Sequence, residues 1–257
     1  MTAFWALWRR EIKKFLFDRG RMGGALAQPI LFWLVLGLGF QGSFKLHETS
    51  NVSFLEFLFP GMVMLVVLFT AIFSTVTIVE ERKSGFLQAA IVAPISRIWL
   101  VLGNVAGGTS LGLLQALLFL IAAPFTGFHP TFWGVVGVLL ICTATGVALG
   151  SLGFAMAWKV SSTRGFLALM NFFLMPLWLL SGAFFPLSGV PESVRWVIYL
   201  NPITYGMDAL REALYGFQQV PIGTSFGYLP SLAIVTLFAL AATGFAVYLV
   251  RKPIDLS

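Results

Sequence analysis

Few side chains in this chain have the types and spacing that enzyme chemistry needs. His47 and His129 fall in separate predicted loops and Cys142 is the single cysteine, so no metal-ligand set or thiol nucleophile is spaced for catalysis. The carboxylate pair Glu80 and Glu81 resembles that of intramembrane proteases but lacks their partner histidine or arginine. No Gly-Lys dipeptide occurs, and a phosphate-binding P-loop requires one. The residues predict a chain that is not itself an enzyme and binds no cofactor of its own.

The elements that carry these residues are predicted to be membrane-spanning helices. Of the 257 residues, 58% are apolar and only 10% are charged, against about a quarter charged in soluble domains. The apolar stretches are continuous and long enough to cross a bilayer as helices, whereas barrel strands would alternate. The predicted fold is therefore all-α and polytopic, a single transmembrane domain over residues 1–257. Its six expected spans are about 22–41, 57–79, 99–122, 132–157, 166–185 and 229–250.

The predicted spans contain no Asp, Glu, Lys, Arg or His, which argues against a proton-driven pump or antiporter, because such proteins place these titratable groups inside the membrane. Among the amides that do lie within spans, Asn104, Gln115 and Asn171 are singled out. An amide in hydrocarbon needs a partner, across a helix interface or along a wet path. These three residues are accordingly candidates either for interhelical packing or for the substrate path.

The distribution of basic residues predicts the orientation. Only Lys45, Arg195 and Arg211 of the 16 basic residues fall on one side of the six-span topology. The positive-inside rule therefore places the other side, with both termini, in the cytoplasm. The net charge of +6 is thus explained by membrane topology, and no nucleic-acid partner is expected.

Three segments are predicted to be helical without spanning. Residues 1–20 form an amphipathic basic helix expected to lie in the membrane interface. Residues 80–97 form a cytoplasmic loop with a helical stretch. Residues 187–228 lie outside and dip partway into the membrane, with a break at Asn201 and Pro202, since the residue before proline disfavours helix. Within this outer segment we expect the charged side chains, Asp208 and Arg211 among them, on the wet face. The expected span-facing residues include Trp196, Tyr199 and Tyr205.

Several motifs together resemble one family, the membrane permease subunit of type-2 ATP-binding-cassette (ABC) exporters. The basic N-terminal helix is one of them. The others are FLFPG at 57–61, EERKSG at 80–85, APISR at 93–97, SGAFFPL at 181–187 and LNPITY at 200–205. They cover nearly the whole chain, and the last two are specific only in combination.

The resemblance implies a function, partners and a location. The chain would move an amphipathic or hydrophobic compound, drug-like or lipid-like, out of the cell across a bacterial-type inner membrane. ATP and Mg would be bound by a separate ATPase subunit, and a second permease subunit would complete a dimer. The implied ATPase contacts lie on a coupling helix within 80–97 and comprise Glu80, Glu81, Arg82, Lys83, Gly85, Phe86 and Pro94. The alternatives are a polysaccharide or lipid-linked glycan exporter of the same family, and a nucleotide-independent channel or structural membrane protein.

Overall fold

A computed structural model describes residues 2–17, 19–40, 52–85, 96–185, 190–217 and 226–251. Every regular element in these ranges is helical. We number the α-helices in chain order: α1 Thr2–Phe17, α2 Arg19–Gly39, α3 Phe54–Phe73, α4 Val76–Lys83, α5 Ile98–Leu120, α6 Phe132–Lys159, α7 Thr163–Trp178, α8 Glu192–Leu200, α9 Pro202–Leu214 and α10 Tyr228–Arg251. A short 3₁₀ turn follows α5 at Ala123–Thr126, and α7 continues into a wide π-type turn at Leu179–Ala183.

The all-α, multi-pass membrane architecture is confirmed. By length and hydropathy, five helical stretches among the described residues can cross a membrane: Phe54–Lys83, Ile98–Leu120, Phe132–Lys159, Thr163–Ala183 and Tyr228–Arg251. The first predicted span corresponds to α2, whose apolar part is the shorter stretch Pro29–Gly39. The count of six spans therefore stays a prediction.

Hydroxyl side chains cap the first turns of α3 and α6. The Ser53 hydroxyl accepts a hydrogen bond from the backbone N–H of Glu56 at 3.1 Å, and Thr131 does the same for Gly134 at 3.1 Å. These bonds satisfy donors that the first turn of a helix leaves without an internal partner. The start of α6 therefore agrees with the predicted start of the fourth span.

The second predicted span is two helices joined by a bend. Between α3 and α4, the hydroxyls of Ser74 and Thr75 donate to the carbonyls of Ala71 and Ile72 at 2.7 and 2.6 Å. Hydroxyls that bond back to the preceding turn bend a helix. The backbone stays in the right-handed helical region at both residues, and α3 and α4 together form the stretch Phe54–Lys83, which ends in the charged turn of α4.

The core surrounds α3, which packs against α2, α5 and α6. Leu58, Phe59 and Met62 are completely buried along it. The N-terminal helix α1 lies along α5 rather than apart from the bundle. At this contact Gly103 and Gly107 of α5 allow close approach, since a Cβ there would lie 2.7 Å from Leu7 Cβ and 2.6 Å from Glu11 Cβ. The structure has a helix at Thr2–Phe17 within the predicted segment 1–20, and its position in the membrane interface stays a prediction.

Candidate functional site

The charged end of α4 is held by α1. Glu81 is 8% exposed, and its Oε1 lies 2.6 Å from both Arg10 Nη2 and Lys14 Nζ. Two cations one helical turn apart on α1 thus share one carboxylate of α4. We call this region, where α1, α4 and the C-terminal end of α6 meet, the α4 end of the molecule. The arrangement fixes the N-terminal helix to the helix that leads into the predicted coupling segment.

A second carboxylate, Glu11, extends this cluster inward. It is 3% exposed, and its Oε1 lies 2.9 Å from Arg10 Nη2. The Thr77 hydroxyl lies 3.4 Å from Glu11 Oε2 and accepts a bond from Asn104 Nδ2 at 3.3 Å. Sequence analysis did not single out Glu11. The available signal was its position as the one acidic residue in an otherwise basic amphipathic helix.

Arg82 reaches the end of α6 instead of solvent. Its guanidinium donates to the backbone carbonyls of Trp158, Ala157 and Val160, the last two at 3.5 and 3.4 Å. Its Cζ also lies 5.8 Å from the centre of the Trp158 ring. The carbonyls in the last turn of a helix have no partner within the helix, so an arginine fork suits them well.

The implied ATPase contacts divide into two groups. Glu80 and Lys83 have exposed side chains, and Gly85 ends the described part of this segment with φ of 77°, a conformation that favours glycine. Glu81 and Arg82 are engaged within the chain, as described above. Phe86 and Pro94 lie outside the described residues. ATPase contact therefore stays a prediction, and the exposed group is the better placed for it.

The three intramembrane amides do not come together. Gln115 is 1% exposed at the contact of α5 with α3, where its Oε1 accepts a 2.5 Å bond from the Thr70 hydroxyl. Asn104 lies eleven residues earlier on the same helix, in the Glu11 network. Asn171 is on α7, where its amide donates to the Leu167 carbonyl at 3.0 Å. The structure favours interhelical packing for the first two residues.

Asn171 differs because it is exposed on the surface of the chain. The neighbouring Phe172 and Phe173 are 73% and 47% exposed. This α7 face, residues 171–173, is apolar apart from the one amide. It presents the only one of the three amides that a ligand or a second subunit could reach.

At the opposite end, which we call the α9 end, Arg211 is buried. It is 5% exposed and donates to the Gly182 carbonyl at 2.6 Å, while its Cζ lies 4.6 Å from the centre of the Phe57 ring. Gly182 exposes this carbonyl in a turn with φ of 81°. Burial lowers the pKa of Arg211 to about 10, so the side chain remains a cation at neutral pH.

Asp208 is buried one turn earlier on α9. Its Oδ2 accepts bonds from the backbone N–H of Phe226 at 2.9 Å and from the Ser231 hydroxyl at 3.2 Å. Burial raises the pKa of this carboxyl, and the two hydrogen bonds oppose the rise. These contacts attach α9 to the start of α10.

The prediction that Asp208 and Arg211 lie on a wet face is wrong. Both side chains turn inward, because a backbone carbonyl and a hydroxyl from distant segments supply polar partners there. Tyr215 just after α9 is likewise anchored, donating to Glu56 Oε1 at 2.9 Å. Burial and the adjacent carboxylate raise the pKa of its phenol.

The predicted orientation of α8 is also wrong in part. Trp196 and Tyr199 are 61% and 42% exposed and so do not pack on the spans, whereas Ile198 is 1% exposed. A helix turns about 100° per residue, so the burial of Ile198 directs Trp196 away from the bundle. Tyr205 on α9 is half-buried, and its hydroxyl donates to the Tyr199 carbonyl at 2.9 Å.

The helices α8 and α9 are separated at Asn201, beside Pro202, the two residues where the break was predicted. Asn201 caps α9 through its Oδ1, which accepts from the backbone N–H of Ile203 at 3.0 Å. Its Nδ2 donates to the Leu177 carbonyl of α7 at 2.6 Å. Pro202 occupies the first position of α9, where the missing N–H costs nothing. This junction therefore joins the two short helices to α7.

The fold and these sites define a multi-pass helical membrane protein of the transport class. The family model described as ABC-2 type transporter matches residues 2–215. The chain therefore belongs to the ABC-2 type transporter family.

Several relatives of this chain carry permease names. The chain is 27% identical over 240 residues to the inner membrane transport permease YadH of Escherichia coli, covering 89% of this chain and 91% of the relative. Nodulation protein J of Rhizobium meliloti is 26% identical over 239 residues, covering 91% and 89%. The putative transport permease ycf38 of Porphyra purpurea is 28% identical over 214 residues, covering 81% and 69%. The chain is accordingly a transport permease of this family.

Proposed function

We propose that this permease is the membrane half of an ATP-driven exporter. It moves an amphipathic or hydrophobic compound, drug-like or lipid-like, while a separate ATPase subunit binds ATP and Mg. A second copy of the chain completes the transport path. The α4 end faces the cytoplasm with both termini, and the complex resides in a bacterial-type inner membrane.

The exposed charges at the end of α4 carry the proposal of an ATPase partner. Glu80 and Lys83 point away from the bundle on a helix whose other charged residues, Glu81 and Arg82, are fixed to α1 and α6. A helix held against its neighbours, with exposed charges on its outer side, suits docking, because electrostatic complementarity confers specificity. The family supports the same partner class.

The α7 face supports the proposed substrate class. Phe172 and Phe173 offer apolar contact, and Asn171 adds one hydrogen-bonding group. An amphipathic compound needs this combination of a large apolar surface and few polar groups. Two such faces, one from each copy, would enclose a path that a bulky hydrophilic glycan would fit less well.

The partner proposal is tested by co-purification with the ATPase subunit encoded by a neighbouring gene. The wild-type chain alone should hydrolyse no ATP, whereas its complex with the ATPase subunit should hydrolyse ATP. Lys83→Glu should weaken co-purification, whereas Arg164→Glu, which reverses another exposed charge in the first turn of α7, should leave it unchanged. Hydrolysis by the chain alone, or equal retention of the ATPase by both variants, would contradict the proposal.

The substrate proposal is tested in vesicles containing the complex and an amphipathic fluorescent dye. We expect the dye to move across the membrane only with ATP. Asn171→Leu should change the rate of this movement, and this variant should bind the ATPase normally. Dye movement without ATP would instead establish a channel. ATP-driven movement of a lipid-linked glycan but not of the dye would establish the glycan exporter.

A further inference from the structure

Two arginines stand at the two ends of the segment that joins α4 to α5. Arg82 in the last turn of α4 donates to carbonyls at the end of α6. Arg97, immediately before α5, donates through Nη1 to the Val250 carbonyl at the end of α10, at 3.1 Å. Each end of the segment is thus bonded to the C-terminal end of a different membrane helix.

The chemistry of these contacts is specific to arginine. The last carbonyls of a helix lack internal partners and lie at the negative end of the helix dipole. At the end of α6 the chain turns to an extended conformation at Val160, which leaves several carbonyls within reach of one guanidinium. A planar fork with five donors can bridge them, whereas an ammonium acts as a single point charge.

Other basic residues at the same helix ends do not make this contact. Lys159 ends α6 and Arg251 ends α10, and both side chains are exposed. Each already supplies a cation near its own helix terminus. The cations that reach the carbonyls nevertheless come from the last turn of α4 and from the residue before α5, so the contacts tie separate parts of the chain together.

The two contacted helices also form one unit. The helices α6 and α10 pack along each other, and Ser151 and Thr243 share a 2.8 Å hydrogen bond between them. A force on the segment would therefore reach the same helix pair through both arginines. It would also reach α3 through α4 and reach α5 directly, because these helices are continuous with the ends of the segment.

We propose that Arg82 and Arg97 are positioning residues that fix both ends of the α4–α5 segment to the α6/α10 pair, so that displacement of the segment moves this pair. The contacts belong to the chain itself. Their role in transmission rests on the proposed function, in which the ATPase docks on this segment.

The contacts are tested first in the purified chain by hydrogen exchange. Arg82→Gln should speed exchange of the amides in the last turn of α6 by about three- to tenfold, the range expected for losing a hydrogen bond. Arg97→Gln should do the same at the end of α10. The matched controls Lys159→Gln and Arg251→Gln remove a charge at the same helix ends and should leave exchange unchanged. Unchanged exchange in both arginine variants, or equal effects in the controls, would overturn the proposal.

Transmission is tested in the complex with a spin label at Ser161→Cys, an exposed site after α6, in a Cys142→Ala background. ATP should change the label's spectrum in the otherwise unaltered chain. Arg97→Gln, at a residue outside the implied ATPase contacts, should reduce this change while the ATPase still co-purifies, and Arg97→Lys should restore it only in part. A full ATP response in Arg97→Gln would overturn transmission through this contact. If no variant binds the ATPase, the proposed function fails, and the exchange result still decides whether the arginines fix the segment.

Discussion

Charged side chains have different environments and different partners at the two ends of this permease. At the α4 end, the cations Arg10 and Lys14 meet the carboxylate of Glu81 across two helices, and these cations remain partly exposed. At the α9 end, Arg211 and Asp208 are buried and bond to a carbonyl, a backbone N–H and a hydroxyl. One end uses ion pairs whose cations, but not whose carboxylates, water can reach, and the other uses directional hydrogen bonds away from water.

This difference predicts how easily the contacts at each end can rearrange. Ion pairs near water contribute little and are weakened by salt, so they can exchange partners at small cost. Buried polar groups cost much more when they lose their partners. The α9 end is therefore expected to behave as a fixed cap, whereas the α4 end can rearrange when a partner binds. The following predictions test this contrast.

The largest effect is expected from Arg211→Ala. The change removes a charged hydrogen bond to Gly182 and the contact with the Phe57 ring, and leaves a cavity. We expect a loss of about 3 kcal/mol in the free energy of unfolding, measured in detergent. Arg211→Met refills the volume and should recover part of the loss.

The control for this prediction is Arg195→Ala on α8, whose side chain is 40% exposed. It should cost less than about 0.5 kcal/mol. Equal effects at the two positions would mean that the α9 end is not a fixed cap.

A smaller effect, with a pH signature, is expected around Asp208. Because burial raises the pKa of Asp208 in the folded state, its contribution to stability is present below the unfolded value of about 3.8 and is lost as pH rises through the folded value. Ser231→Ala removes one of the two donors. It should cost about 1.5 kcal/mol at neutral pH and little in acid, where the carboxyl is protonated.

Unfolding measured across this pH range in Ser231→Ala and Asp208→Asn provides the check. The decline in stability with rising pH should steepen in the first variant and disappear in the second. An identical pH dependence in wild type and Asp208→Asn would show that this carboxyl does not titrate with folding.

The spans were predictable because apolar length alone specifies them. The fourth and sixth were expected at 132–157 and 229–250 and are observed at Phe132–Lys159 and Tyr228–Arg251. The bend between α3 and α4 was not predicted, since hydroxyl residues in an apolar run also occur in straight helices.

The buried polar contacts could not be predicted from a single sequence. Periodicity places charged residues of an amphipathic helix toward water, and this reasoning assigned Arg211 to a wet face. Its real partner, the Gly182 carbonyl, is exposed by a turn 29 residues earlier. Likewise the glycines of α5 indicated close packing but not that α1 would be the neighbour. Contacts between distant segments decide such sites.

At the α4 end, Glu81→Gln should cost about 1 kcal/mol, because it leaves Arg10 and Lys14 close together without the carboxylate that they share. The loss should shrink at about 1 M salt, where charges are screened within about 3 Å. Protease cleavage within α1, followed at low and high salt, measures the release of the helix. Glu80→Gln, one residue away and exposed, is the control and should not release α1. A loss that is insensitive to salt would remove the contrast between the two ends.

The smallest effect on stability is expected from Glu192→Gln on α8. This residue lies at the same end of the molecule as Arg211 but is exposed, so the variant tests whether burial or location determines the effect. Glu192 lies near the α9 end but is 93% exposed, and its nearest cation, Arg195 Nη1, is 4.0 Å away. Exposed pairs at this spacing contribute at most a few tenths of a kcal/mol, because solvent screens them and the side chains lose entropy on pairing. Unfolding in detergent should therefore be unchanged within about 0.5 kcal/mol. A loss of unfolding free energy similar to that of Arg211→Ala would mean that every charged residue at the α9 end contributes to stability. An unchanged free energy would instead support a contribution that comes from the buried residues Arg211 and Asp208.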